Sequence, residues 1–352
     1  MTERYLRKKP YPLGAHRECD GIRFSFVSRS TSCGVVLYDR TTGRLLRKIP
    51  FTQEDRTGNI YSKTLQDVDA AKVTYLFYEG EKLMADEYAR VFPEKSVYGK
   101  ERSRVNLRAG FLTEDFDWRQ DQPPRLSYRQ MVVYCMHVRG FTKHASSNVK
   151  HRGTFAGVQE KIPYLKEIGV TTLELQPAYD FLEVPLREEI EEDPCHAPVE
   201  ELAHATAALN YWGYKKGYYY LPKSSYAASD DPSREFKTLV AALHENQMEL
   251  IMQFYFPSDF NRMEIPEILR FWLLEYHVDG FHLMGERLPM DMLAKDELLA
   301  DTKLWYCQLD ADSIYGKSTP PYLNLAQYND AWYYDMRRFL KGDGNMLSAV
   351  LY

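Results

Sequence analysis

Nothing in this 352-residue sequence approaches the roughly 20 consecutive apolar residues that a membrane-spanning helix needs, so no membrane partner is expected. The opening MTERYLRKKPYPLGA (1–15) has basic residues but no apolar stretch behind them. No secretory signal is expected there, and the protein reads as cytoplasmic. A basic excess is missing too. Lys and Arg number 45 against 50 Asp and Glu, a formal net charge of −5, which leaves no electrostatic footprint for nucleic acid. Cysteine is sparse: Cys19, Cys33, Cys135, Cys195 and Cys307 are widely spaced, with no CxxC pair to suggest a zinc knuckle or a redox motif. They read as reduced thiols. No G-x-G-x-x-G follows the first strand of the α/β part described below, so a dinucleotide cofactor is not expected either.

The sequence does have aromatics, and 27 of its residues are Tyr. A tyrosine joins a flat apolar face to a polar tip, which suits sugar binding but equally suits β-rich cores and interfaces. Residues 11–100 break into short strands: IRFSFVS (22–28), GVVLYD (34–39), LRKIPF (46–51) and KVTYLFYEG (72–80), punctuated by turn signals such as Asp20-Gly21 and Thr57-Gly58-Asn59. This pattern predicts an N-terminal β-sandwich over 1–100, immunoglobulin-like in class. Residues 101–130 are polar and Pro-bearing without a period, and read as a linker.

From 131 the pattern becomes α/β. MVVYCMHV (131–138) is an apolar run of the kind found in buried parallel strands. FAGVQEKIPYLKEIG (155–169) places Phe155, Val158, Ile162, Leu165 and Ile168 on one helical face, with Gly169 as the stop. Strands are predicted at 170–178, 248–256, 278–284 and 302–310, and helices at 232–247, 266–277 and 290–300. Five strands in such units imply a parallel sheet. The pattern alone fits an open doubly wound sheet or the first part of an eight-fold barrel.

Here the residues resemble a known family. YCMHVRGFT (134–142), FAGVQEKIPYLKEIGVTTLELQPAYDF (155–181), NYWGY (210–214) and YNDAWYYDMRRFLKGD (328–343) are similar, in order, to the barrel of glycoside hydrolase family 13, in its pullulanase and isoamylase branch of α-1,6-glucan debranching enzymes. YPLGAHRECDGIRFSF (11–26) and ADEYARVF (85–92) resemble the carbohydrate-binding module of family 48 that precedes such barrels. The resemblance implies an incomplete TIM (β/α)8-type barrel over 131–352. The family's barrel continues with three more strands and a C-terminal β domain. Three explanations stay open: the chain is part of a longer protein, another chain closes its barrel, or the last helix, NDAWYYDMRRFLKG (329–342), covers the open side.

A retaining glycosidase needs two carboxyl groups flanking the scissile bond. Where the resemblance expects a fourth strand like VDGFRFD, the chain reads VDGFHLM (278–284). His282 takes the place of the Arg that orients the nucleophile, and Met284 takes the nucleophile's place. A thioether has no anionic oxygen with which to form a glycosyl ester. On the fifth strand the acid/base Glu falls on Cys307, or on Gln308 if the register slips by one. Neither is a competent general acid for an alcohol leaving group. On the third strand the family's Asp, Asn and His have become Gln253, Pro257 and Ser258. Losing key members of such a cooperative set costs on the order of 10⁴–10⁶ in rate. Asp259, Glu286, Asp310 and Asp312 are the nearby acids that a relocated mechanism would have to recruit.

Sugar recognition is what the resemblance leaves standing. Tyr214 matches the family's stacking tyrosine, and Trp212, Tyr211 and His137 are further sugar-binding candidates, although the same aromatics also suit simple loop packing. His137, His144 and His282 are too scattered to indicate a metal, and His196 beside Cys195 lies in an acidic insertion over 182–200. The expectation is a catalytically silent relative of debranching enzymes, without cofactor or metal. It would bind α-glucan, or serve as a scaffold or regulator beside an active paralogue or a second copy. The rivals are a hydrolase with relocated carboxylates and a protein-interaction domain that has lost sugar binding.

Overall fold

The computed structural model describes residues 10–112, 115–118, 121–186, 209–310, 314, 324–344 and 346–348. The first eight strands are β1 (Gly14–Glu18), β2 (Gly21–Val27), β3 (Cys33–Asp39), β4 (Leu45–Pro50), β5 (Arg56–Thr57), β6 (Ile60–Leu65), β7 (Val73–Glu79) and β8 (Lys82–Met84). They form two antiparallel sheets, ordered β1-β2-β6-β5 and β4-β3-β7-β8. Alternation along these strands sends Phe24, Val35, Leu37, Tyr61, Tyr75 and Phe77 into one core between the sheets.

The segment expected as a linker is not free. Leu107, Ala109 and Phe111 enter the sandwich core, and Ala109 exchanges two 2.9 Å backbone hydrogen bonds with Tyr75. Further along, the Trp118 ring stacks on His277 at 3.9 Å, and Asp121 accepts from His244 and His277. Its polar sequence hides these contacts because they are made one residue at a time, with no period.

The α/β part contains β9 (Val133–Met136), β10 (Thr172–Leu175), β13 (Glu249–Phe256), β14 (Gly280–Gly285), β15 (Lys303–Tyr306) and β16 (Leu325–Gln327). All are parallel, in the order β16-β15-β14-β13-β10-β9. A short antiparallel pair, β11 (Tyr179–Asp180) and β12 (Tyr218–Pro222), stands apart from this sheet. Leu221 of β12 and Leu186, a few residues after β11, join the sandwich core, which ties the two layers together.

Among the described residues the sheet thus has six strands where five are expected. Strand β16 is three residues long, too short to show a pattern, and it pairs with β15 through Leu304↔Leu325. Among the described residues, strands β9 and β16 are not paired with each other and the barrel is not closed.

Helices α1 (Val138–Thr142), α2 (Phe155–Gln159), α3 (Ile162–Glu167), α4 (Pro232–Glu245), α5 (Ile265–Tyr276) and α6 (Met290–Ala294) intervene between the strands. The start of α4 is set by Asp231, whose carboxylate accepts from Arg234 N, with Pro232 at the first helical position. Leu239 and Leu243 of α4 and Leu269 and Trp272 of α5 share one buried cluster with Leu173, Met252, Phe254, Phe281 and Leu304 of the strands. Because strand side chains alternate, this apolar packing leaves the other face of each strand for Cys135, Glu174, Gln253, His282 and Trp305.

The last helix, α7 (Asp330–Lys341), begins where Asn329 accepts from Trp332 N and ends at Gly342 in the left-handed region. None of its residues is buried, so it does not pack over the open side of the sheet. Among the described residues no helix is long and apolar enough to cross a membrane.

Candidate functional site

Side chains of both edge strands, Val133 and Cys135 of β9 and Ala326 and Gln327 of β16, line one depression of about 450 Å³. The sheet is therefore curled, and its inner face is a bowl. At the bottom, Lys303 Nζ donates to Glu249 Oε1 at 2.7 Å, and Leu126 N donates to the same oxygen at 2.8 Å. Nearer the mouth a hydrogen-bond chain converges on Glu174. Tyr214 Oη donates to Gln253 Oε1, Gln253 Nε2 donates to Glu174 Oε1, and His282 Nδ1 meets the same carboxylate oxygen, each at 2.6 Å. Tyr328 Oη approaches Glu174 Oε2 at 3.4 Å, and its ring stacks on His282 with centroids 4.7 Å apart.

Burial pushes the Glu174 carboxyl up, but the hydrogen bonds from His282 and Gln253 and the charge of His282 outweigh it and hold its pKa below the ordinary carboxylate value. An ionised Glu174 only accepts, so His282 carries its proton on Nδ1. The same anion, with burial as the larger cause, pushes the Cys135 thiol up to about 12. Cys135 is therefore a neutral thiol at physiological pH, not a nucleophile. Burial, then Cys135 and Glu174, raise the Tyr214 phenol to about 12.

Of the residues singled out from the sequence, Gln253, His282 and Tyr214 meet in this bowl. Met284 lies half-buried near the end of β14. Cys307 and Gln308 follow β15 and are exposed, bordering a shallow groove with Gln327 and Asn329. Pro257 and Ser258 follow β13, the first half-buried and the second exposed. Asp259, Glu286 and Asp310 are exposed, while Asp312, Cys195 and His196 lie outside the described residues. His144 caps a short turn through Ser146.

His137, Tyr211 and Trp212 form a separate group. The His137 ring stacks on Tyr211 at 4.3 Å and meets Trp212 edge-on at 5.8 Å. Gly140 N donates to Nδ1, so the proton sits on Nε2, 2.9 Å from both Tyr211 O and Tyr226 Oη. Burial, the largest cause, lowers the pKa of His137 and keeps the ring neutral. Trp212 is 51% exposed. Gly213 supplies φ +80° beside it, and a Cβ there would stand 2.5 Å from the Phe181 ring, so only glycine lets this loop present both Trp212 and Tyr214.

Sequence reasoning missed Glu174, Trp305 and Tyr328, and treated Cys135 only as a thiol. A charge flanked by Leu173 and Leu175 in the strand TTLELQ is the available signal for Glu174. Among the described residues, no group of three or more His, Cys, Asp or Glu could hold a metal ion.

No family model matches the chain. Its relatives are isoamylases and glycogen debranching enzymes. It is 25% identical to rice (Oryza sativa subsp. japonica) isoamylase 1, chloroplastic, over 97% of this chain and 55% of that protein. It is 27% identical to the glycogen debranching enzyme of Dickeya chrysanthemi over 96% of this chain and 61% of that protein. The chain thus spans little more than half the length of these relatives. In fold it resembles the pullulanase of Paenibacillus barengoltzii, solved with maltohexaose and α-cyclodextrin, with TM-score 0.68, 20% identity, and coverage of 94% of this chain and 59% of that one. The pullulanase SAP of Group B Streptococcus, solved with maltotetraose, gives TM-score 0.68 at 20% identity, covering 95% and 51%. The pullulanase-like fold is shared: an N-terminal β-sandwich followed by a parallel-sheet α/β part.

Proposed function

We propose that this chain is a non-hydrolysing relative of the α-glucan debranching enzymes, and that it holds α-glucan on the aromatic platform of its NYWGY loop. The observation that carries this reading is the chemistry at the strand ends. Met284 stands where the family resemblance seats the nucleophile and Cys307 or Gln308 where it seats the acid/base, and the carboxylate near the mouth of the bowl, Glu174, already accepts from Gln253 and His282. A retaining mechanism needs two carboxyl groups about 5–5.5 Å apart. The acids nearest the mouth, Asp259, Glu286 and Asp310, are exposed.

Trp212 supports the binding half of the proposal. Its ring is half exposed, and its loop is braced by the Tyr211–His137 stack. A flat ring fixed in this way can hold the apolar face of a glucose unit without any carboxylate. On this reading the sandwich is an immunoglobulin-like module of carbohydrate-binding family 48. The protein then works as a scaffold or regulator beside an active enzyme in a reducing, cytoplasmic compartment, which suits its free cysteines.

The test is electrophoretic mobility in gels containing glycogen, for the wild type and Trp212→Ala, together with reducing-end release from pullulan. The reading expects retardation that Trp212→Ala weakens several-fold, and no turnover. Turnover by purified protein would favour relocated carboxylates. Unretarded migration would favour a pure interaction role.

A further inference from the structure

We infer that Tyr328 is an intramolecular occupant of a saccharide-sized site: its phenol ring sits in the bowl where a terminal hexose unit of an α-glucan binds, and the two compete. This rests on the glucan-binding reading above but concerns a different surface from Trp212.

The contacts of Tyr328 are those a pyranose would make. One ring face lies on the His282 imidazole at 4.7 Å with 24° between planes. The ring meets the Trp305 indole edge-on at 6.3 Å. The hydroxyl points at the Glu174 carboxylate. A glucose unit likewise presents an apolar C–H face for stacking and hydroxyls that donate to a carboxylate. Tyr328 is itself a wall of the adjoining depression of about 450 Å³, together with Glu174 and Trp305, so withdrawal of its ring widens a space already within the ~300–1,000 Å³ usual for small-ligand sites. Its floor is already organised: Glu174 is ionised, and His282 uses Nδ1 to hold it. Nε2 of His282 makes no hydrogen bond among the described residues and is left for a ligand.

Tyr328 fits this site loosely. Its hydroxyl stands 3.4 and 3.5 Å from the two carboxylate oxygens, beyond the 2.5–3.0 Å of a good O–H···O bond, whereas the other donors to Glu174 sit at 2.6 Å. A mobile ligand hydroxyl can take the shorter distance that the backbone denies to Tyr328. The segment bearing the tyrosine is lightly held as well. It follows the three-residue edge strand β16 and precedes α7, which buries none of its residues. Tyr328 itself is 43% exposed. Elements with so few buried contacts open at the lowest free-energy cost in a fold. While the tyrosine is in place, apparent affinity is reduced by the fraction of molecules in which it is out.

The experiment is calorimetric titration of the full chain with maltotriose. Tyr328→Ala is expected to bind about tenfold more tightly or better, which corresponds to a site open in about a tenth of wild-type molecules or fewer. Tyr328→Phe, which keeps the ring and loses only the long hydroxyl contact, should stay within about threefold of wild type. Adding Glu174→Gln to Tyr328→Ala should remove the gain. The wild type offers a second readout that needs no variant to fold: saturating maltotriose should speed amide exchange over residues 325–341. No gain in Tyr328→Ala, a gain that survives Glu174→Gln, or slower exchange in this segment on binding would overturn the inference. Retardation in glycogen that depends on Trp212, with no gain from Tyr328→Ala, sinks this inference alone. If folded wild type and variants all bind nothing, both readings fail.

Discussion

Glu174 Oε1 lies 2.6 Å from His282 Nδ1, although their strands β10 and β14 are not neighbours. Strand β13 runs between them, and its Gln253 donates to the same carboxylate. One buried anion therefore links three adjacent strands, and removing it strands several donors at once. Glu174→Ala should cost about 2–4 kcal/mol in urea unfolding, because unpaired buried polar groups keep their desolvation penalty. The depressed pKa of Glu174 sets the pH dependence. Its contribution is present above the ordinary value of 4.5 and is lost as pH falls through the folded-state value. The stability gap between wild type and Glu174→Gln should hold from pH 7 to about 5 and close only in stronger acid; a gap that closes near neutrality would contradict this.

Met284→Asp returns a carboxylate to the position the family resemblance gives the nucleophile, yet it should release no reducing ends from pullulan above background. The acid/base position would still hold Cys307 or Gln308, and the single restored group lacks the partner that both halves of a retaining reaction require. A rate increase of more than about tenfold in this variant would show that a second carboxyl group is already in place.

Much of the α/β part was legible because parallel strands and their covering helices write themselves as apolar runs and 3.6-residue periods, as in MELIMQFYF and PEILRFWLLEYH. In the sandwich, β1 (GAHRE) and β6 (IYSKTL) were missed because half-exposed antiparallel strands carry many polar residues. The bowl was only half legible. The motif positions point to Gln253, His282 and Tyr214, but Glu174, which Gln253 and His282 contact directly and Tyr214 reaches only through Gln253, reads simply as strand. Its role depends on which face of β10 turns inward and on the sheet curling far enough for Tyr328 to reach it. Neither is a local property of the sequence.

Gly213→Ala should be costly for its size. The backbone there is at φ +80°, and the new methyl would press on Phe181 at 2.5 Å. A destabilisation of about 2–3 kcal/mol is expected, with weaker retention in glycogen gels as Trp212 and Tyr214 are displaced together. Loss of stability with unchanged retention would separate the loop's fold from sugar binding.

His244 sits between two carboxylates, with Nδ1 at 2.6 Å from Asp121 and Nε2 at 3.1 Å from Asp279. Burial opposes its charge, but Asp279 and Asp121 together raise its pKa above the usual 6.5. A raised folded-state pKa gives stability that is complete below 6.5 and drains away as pH rises through the higher value. The urea midpoint should therefore fall between pH 6.5 and 9, and Asp121→Asn should lower the unfolding free energy by about 1–3 kcal/mol at pH 6 while flattening the pH dependence. An Asp121→Asn profile parallel to wild type would rule out this pair as the cause.

Lys303 and Glu249 test whether the lower bowl is held by charge or only tolerates it. Lys303 Nζ lies 2.7 Å from Glu249 Oε1, with the side chains 9% and 1% exposed. The other oxygen, Glu249 Oε2, is buried without a hydrogen-bond partner among the described residues. Burial, the largest cause, has already raised the Glu249 pKa despite the nearby lysine, so the carboxylate is poorly compensated even in the intact pair. Lys303→Met alone leaves that charge buried and unpaired and should cost about 3–5 kcal/mol in urea unfolding, less where the carboxyl can protonate. Lys303→Met with Glu249→Leu removes both charges and should recover most of the loss, short of about 1 kcal/mol for the Leu126 N–H that loses its acceptor. If the double variant is as unstable as the single, the pair is a net source of stability and the desolvation argument fails here.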